Sequence, residues 1–265
     1  MKSVTIAFFG DLVGNPGRAL LQKYLPVIKH DYGASFTIVN GENCAHGKGI
    51  TPSIADELFS MGVDVITSGN HIWDKKEIIP FLQKTDRVLR PVNYPTQCPG
   101  KGAVLIEHQG VMIGVVNALG RVFMNTHSDC PFNATRAAIE ELRKVTPVVV
   151  VDFHAETTSE KLGLAFYLDG NISAVVGTHT HVQTADERIL PGGTAYITDL
   201  GMAGSLNSML GVTIEPLIHK FLTQMPVQHV VATNSPFVIS GVVVTIDTLT
   251  GKAQSIKRFF IVDHE

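Results

Sequence analysis

The sequence predicts an α/β fold built as a mixed sandwich rather than a closed parallel barrel, and three features carry that reading. Apolar, β-rich runs alternate with amphipathic segments as far as about residue 180, the pattern of strands joined by helices across a largely parallel sheet. Beyond that point hairpin-like runs take over. No internal repeat, linker or low-complexity tract divides the chain, so residues 1–265 are expected to form a single domain.

Val4 to Phe9 is the first strand. Asn15-Pro16 supplies a cap and a proline at the first helical position for RALLQKYLPVIKH, a helix that Pro26 should kink or shorten. FTIVN follows as a strand. Thr51-Pro52 repeats the cap-and-proline signal before SIADELFSM, and Gly62 stops that helix ahead of the strand DVITS. AVLIEH and VMIGVVNAL flank Gln109-Gly110 as an antiparallel hairpin. Asn133 can cap ATRAAIEELRKV, after which PVVVVDFH and SAVVGTH are strands separated by the helical TTSEKLGLAFYLD. TAYIT, FVISGVVVTID and AQSIKRFFIVD close the chain as strands, the last two turning at Thr250-Gly251.

A hydrophobic fraction of 45% against 17% charged residues supports a large core. The net charge of -3 offers no footprint for duplex nucleic acid or anionic lipid. Cys44, Cys98 and Cys130 are scattered, without the close spacing of a thiolate metal site, and read as reduced buried thiols. Gly10-Asp11 interrupts the N-terminal apolar run before it could act as a signal core, and no apolar stretch approaches the roughly 20 residues of a membrane span. The expected setting is cytoplasmic, with no membrane partner.

Chemistry concentrates where strands end: FFGD at Asp11, VNGEN at Glu42 and Asn43, ITSGNH at Asn70 and His71, VVDFH at His154, and VVGTHTH at His179 and His181. Ligands collect at the carboxyl ends of strands in open α/β sheets, so loops far apart in sequence can meet in one crevice. Carboxylate, amide and imidazole groups form a hard-to-borderline set suited to manganese, iron or zinc. Side chains two apart on a regular strand point the same way, which lets His179 and His181 face one site. Asn70 and His71 are neighbours and should diverge, one toward metal and the other toward substrate. Gly10, Gly41, Gly69 and Gly177 would let the backbone come close to the ions. Singly, each cluster reads as an ordinary turn; jointly they read as a site.

This order of Asp, a second acidic ligand, Gly-Asn-His, a lone His and a closing Gly-x-His-x-His resembles the calcineurin-like metallophosphoesterase superfamily. FGDLVGNPGR, NGENCAHGKGIT, TSGNHIWDK, DFHAETTSEK and GTHTHVQTADERIL resemble more closely the bacterial YmdB-like phosphodiesterases, from residue 8 to about 204, where ITDLGMAG closes the match. The resemblance implies two mixed β-sheets flanked by helices (α/β/β/α), two metal ions, and hydrolysis of cyclic nucleotides, characteristically 2′,3′-cyclic nucleoside monophosphates. It implies that Asp11, Asn43 and His181 hold one ion, that Asn70, His154 and His179 hold the other, that Glu42 bridges them, and that His71 is the proton donor. A metal-bridging hydroxide would attack phosphorus. Val13 stands where the superfamily has a histidine and Glu42 where it has an aspartate, which shifts preference from zinc toward iron or manganese, as divalent or mixed-valence ions.

Two divalent ions over the carboxylates of Asp11 and Glu42 leave a net positive site, suited to a small anionic phosphodiester. Asp74, Asp152, Glu156 and Asp186 lie close enough in sequence to orient an imidazole, although a loop carboxylate or helix cap is the commoner role of each. Thr178, Thr180 and Thr157 read as turn formers, and Trp73 as a residue packed beneath the site. His46 and His127 either line the pocket or are surface histidines. Segment 202–214, rich in small residues, reads as mobile, as a contact in a homo-oligomer, or as a surface loop. Competing readings are a phosphomonoesterase or nucleotide pyrophosphatase, and a regulatory metal-binding module.

Overall fold

A computed structural model describes residues 2–265. One sheet carries β1 (Ser3–Leu12), β2 (Phe36–Asn40), β3 (Val65–Thr67), β10 (Met202–Ser205), β11 (Phe237–Asp247) and β12 (Ala253–Asp263), in the order β12-β11-β10-β1-β2-β3 with β11 also on β1. The other carries β4 (Ala103–His108), β5 (Val111–Leu119), β6 (Val149–His154), β7 (Ala174–Thr178), β8 (Arg188–Ile189) and β9 (Ala195–Ile197), in the order β4-β5-β6-β7-β9-β8. Both sheets are mixed. β1, β2, β3 and β10 run parallel, as do β5, β6, β7 and β9, while β11, β12, β4 and β8 pair antiparallel.

Strand periodicity sorts the side chains into layers. Ile6, Phe8 and Ile38 face Val115, Val150 and Val176 between the sheets. Their neighbours Ala7, Phe9 and Val39 point the other way, onto α1 (Gly14–Tyr32) and α2 (Pro52–Ser60). Val149, Val151 and Val175 meet α4 (Pro131–Leu142) and α5 (Thr158–Leu168) on the far side. The order is therefore helix, sheet, sheet, helix. Continuous apolar runs such as VVVVDFH follow from strands covered on both faces.

Several local expectations shift. Thr51 does cap α2, accepting from Ile54 N at 3.3 Å, but the first helix starts at Gly14 and runs through Pro26 to Tyr32. Pro26 and Gln22 are exposed, so water can serve the carbonyl that the proline leaves without a donor. Pro131, not Asn133, opens α4, with Cys130 at its cap. Residues 202–205 form β10 rather than a mobile loop, because the small residues of MAGS fit between β1 and β11. Two helices were not expected: α3 (Ile78–Leu82) and α6 (Ile214–Thr223), the latter without a buried residue. All three thiols are free, but only Cys44 is buried; Cys98 and Cys130 are half-buried. Among the described residues no helix is long and apolar enough to cross a membrane.

Candidate metal centre

The carboxyl ends of β1, β2, β3, β6 and β7 lie along one edge of the two sheets, and every sequence-selected ligand comes with them. A register shift in β1 between Phe9 and Asp11 brings the Asp11 carboxylate to the edge. Asp11, Glu42 and His154 are at most 1% exposed.

Two overlapping groups of donors result. The Asn43 carboxamide lies 3.3 Å from both Asp11 Oδ1 and Glu42 Oε1, and 3.1 Å from His181 Nε2. His154 Nε2 lies 3.0 Å from Glu42 Oε1, 3.2 Å from Asn70 Oδ1 and 3.0 Å from His179 Nδ1. One imidazole nitrogen carries at most one proton and cannot satisfy three such neighbours by hydrogen bonding. Lone pairs converging in this way fit a cation. Glu42 Oε1 belongs to both groups.

The imidazoles are oriented from behind. His154 Nδ1 is 2.9 Å from Thr178 Oγ1, which donates to Asp152 Oδ1 at 2.7 Å. Asn40 joins that relay, its amide 3.2 Å from Asp152 Oδ2 and its Oδ1 accepting from Glu42 N at 3.1 Å. His181 Nδ1 donates to the Leu210 carbonyl at 2.9 Å and His179 Nε2 meets Glu156 at 3.0 Å, which turns the other nitrogen of each ring to the site. His71 Nδ1 pairs with Asp74 Oδ2 at 3.0 Å, and its backbone N–H donates to Glu42 Oε2 at 3.1 Å. Of the four candidate orienting carboxylates only Asp186 lies apart, accepting from Thr184 and Thr198. Thr178 is an orienting hydroxyl, not merely a turn former.

His179 and His181 reach the site by a different route from strand alternation. β7 ends at Thr178, and both histidines sit beyond it at positive φ, 106° and 64°. Side chains disfavour that region by about 1–3 kcal/mol per residue. The loop is fixed by His179 N donating to Asp11 Oδ2 at 3.2 Å and by Thr180 N donating to Asp199 Oδ2 at 3.1 Å. Asp199 is itself locked to the wholly buried Lys161 at 2.6 Å. Gly69 leaves no alternative residue, since a Cβ there would lie 2.2 Å from His154 and 2.4 Å from Glu42. Gly10 and Gly177, by contrast, make room for the backbone of Gly201 and Thr198 rather than for ions.

Burial pushes the carboxyls of Asp11 and Glu42 up, but hydrogen bonding and charge from His181 and His154 outweigh it and hold both below the usual range. Burial alone would lower His181; its bond to Asp11 instead lifts it to about 9. Burial and the charge of His154 take His179 down to about 4, and burial raises Asp152 to about 6. The Cys44 thiol is pushed up by burial, which keeps it protonated behind the site.

A cavity of about 450 Å³ opens over these groups, lined by Glu42, Asn43, His71, His179 and His181. Neither His46 nor His127 lines it, whereas His229 does. Trp73 packs against the core and meets Tyr94 edge-on at 5.8 Å, beneath the His71 loop. Asn40, Lys161, Asp199 and His229 were missed by sequence reasoning. Asn40 ends the same VNGEN run as Glu42, and Asp199 sits in ITDLGMAG, so position beside a cluster was the available signal.

A family described as YmdB-like protein matches residues 7–259. A 2′,3′-cyclic-nucleotide 2′-phosphodiesterase of Bacillus subtilis (strain 168) is 50% identical over 258 residues, covering 97% of each chain. The crystal structure of a phosphatase from Mycoplasma pneumoniae aligns with a TM-score of 0.93 and 34% identity, over 100% of this chain and 95% of that one. The NAD nucleotidase of Haemophilus influenzae shares the fold alone, with a TM-score of 0.61 at 14% identity over 99% of this chain and 56% of its own.

Proposed function

This chain belongs to the YmdB-like protein family, and on that premise we propose that it is a phosphodiesterase acting on small anionic diesters, 2′,3′-cyclic nucleoside monophosphates first among them. The observation that carries this reading is the pair of donor groups sharing Glu42. Asp11, Asn43 and His181 would hold one ion, and Asn70, His154 and His179 the other. Four oxygen donors, three imidazoles and no thiolate favour manganese or iron ahead of zinc. When bound, such ions supply Lewis-acid activation of water and of the phosphoryl oxygens.

The remaining chemistry belongs to the chain. Asp152, Thr178 and Asn40 hold the His154 ring, and Glu156 and the Leu210 carbonyl hold His179 and His181. His71 is the proton donor. Its Nδ1 is engaged by Asp74, its ring is 27% exposed and lines the cavity, and Nε2 has no protein partner among the described residues. A proton on Nε2 passes to the leaving ribose oxygen as the P–O bond breaks. The His71 N–H bond to Glu42 ties that donor to the ion-holding carboxylate.

The test is an activity panel of 2′,3′- and 3′,5′-cyclic nucleotides, phosphomonoesters and nucleoside diphosphates, each with manganese, iron or zinc. The highest kcat/KM is expected on a 2′,3′-cyclic nucleotide with manganese or iron. A metal-loaded chain that cleaves monoesters or diphosphates but no cyclic nucleotide overturns the reading.

A further inference from the structure

We propose that the mouth of the cavity holds a second anion subsite, formed by Lys48, Lys220 and His229, which takes a phosphate on the 5′ side of the nucleoside whose cyclic phosphate lies over Asp11, Glu42 and His181. The inference rests on the phosphodiesterase reading and narrows its substrate class to a nucleoside bearing two phosphates.

Three segments bring these donors to one cavity. Lys48 lies in the turn after Asn43, Lys220 on α6, and His229 on the segment that follows α6, and all three line the same cavity as the donor groups. Both lysines are exposed, and among the described residues neither ammonium has a carboxylate partner. The nearby acidic side chains are engaged elsewhere, Glu156 by His179 and Asp74 by His71. Partial burial and the charges of Lys48, Lys220 and His71 hold the His229 imidazole below its ordinary value, so near neutral pH it stands beside the two lysines as a neutral N–H donor. The two ammonium groups can make charge-assisted bonds to an anion and the imidazole can add a neutral one, a combination that suits a phosphate.

The rest of the wall is apolar, with Leu210, Val212, Leu217 and Phe221 facing the same space. An anion-holding floor, a cationic rim and an apolar wall fit a nucleotide with a phosphate at either end of its sugar. At about 450 Å³ the cavity is within the usual range for small-ligand sites and larger than one phosphodiester group needs. The second phosphate belongs either to a free 5′-phosphorylated nucleotide or to the last internucleotide link of a short RNA ending in a cyclic phosphate.

The test compares kcat/KM on adenosine 2′,3′-cyclic phosphate, the same compound with a 5′-phosphate, and the dinucleotide ApA ending in a 2′,3′-cyclic phosphate. At least one phosphate-bearing substrate is expected to be preferred about ten-fold, the scale of one charge-assisted contact, with the ratio falling toward one in K48A/K220A. Which of the two is preferred identifies the source. Calorimetric binding of adenosine 3′,5′-bisphosphate against adenosine 3′-monophosphate should show the same preference and the same loss. No preference in the unaltered chain, or a preference that survives K48A/K220A, overturns the subsite. If no cyclic nucleotide is turned over, the phosphodiesterase reading fails, and the binding comparison still decides whether the subsite exists.

Discussion

His71 pairs one nitrogen with Asp74 and lines the cavity, which in the proposed mechanism separates proton transfer from metal holding. His71→Ala should therefore lower kcat on a cyclic nucleotide by about 10²- to 10⁴-fold, the usual worth of a positioned general acid. Metal content, measured by mass spectrometry of the dialysed protein, should not change; loss of metal with activity would contradict the assignment. His181 holds its proton to higher pH than a free imidazole does. Asp11 raises it to about 9, so in the metal-free chain the stability from the charged ring is complete below its ordinary 6.5 and is lost as pH rises through about 9. A metal requires the neutral ring. Apparent manganese affinity should rise with pH across that interval, while the chain in EDTA loses thermal stability over it. An affinity that falls with rising pH would contradict the placement of His181.

The loop after β7 illustrates what a sequence can and cannot disclose. Gly-x-His-x-His marks both imidazoles, but regular alternation is the wrong reason for their convergence, since both lie past the strand at positive φ. What fixes the loop is Asp199 on Lys161, residues remote in sequence whose pairing no local spacing reveals. Likewise β10 reads as a loop because MAGS has no branched apolar side chain, its strand conformation being imposed by β1 and β11. Strands whose faces are both buried, such as β2 and β6, were legible because continuous apolar runs leave few other fates. Lys161→Met would strand the buried Asp199 carboxylate, at a cost of about 3–5 kcal/mol for a broken buried pair. Calorimetry should show a marked fall in Tm, and manganese titration a weaker affinity because the Thr180 N–H anchor is disturbed. Unaltered metal affinity in a folded Lys161→Met chain would contradict that coupling.

At the scale of the molecule, the inter-sheet core draws residues from both sheets, and Glu42 and His154 join the two across the site. We propose that residues 1–265 unfold as one unit: a single calorimetric transition is expected, moved upward by manganese as native-state binding requires. Two resolved transitions would contradict it. In the proposed centre both sheets lend ligands, so the decisive measurement is anomalous diffraction from crystals loaded with manganese. Two peaks are expected, roughly 3.5–4 Å apart as in two-metal sites, one beside Asp11, Asn43 and His181 and the other beside Asn70, His154 and His179, with Glu42 touching both. A fully loaded crystal with one peak, or with peaks away from these side chains, would contradict the account.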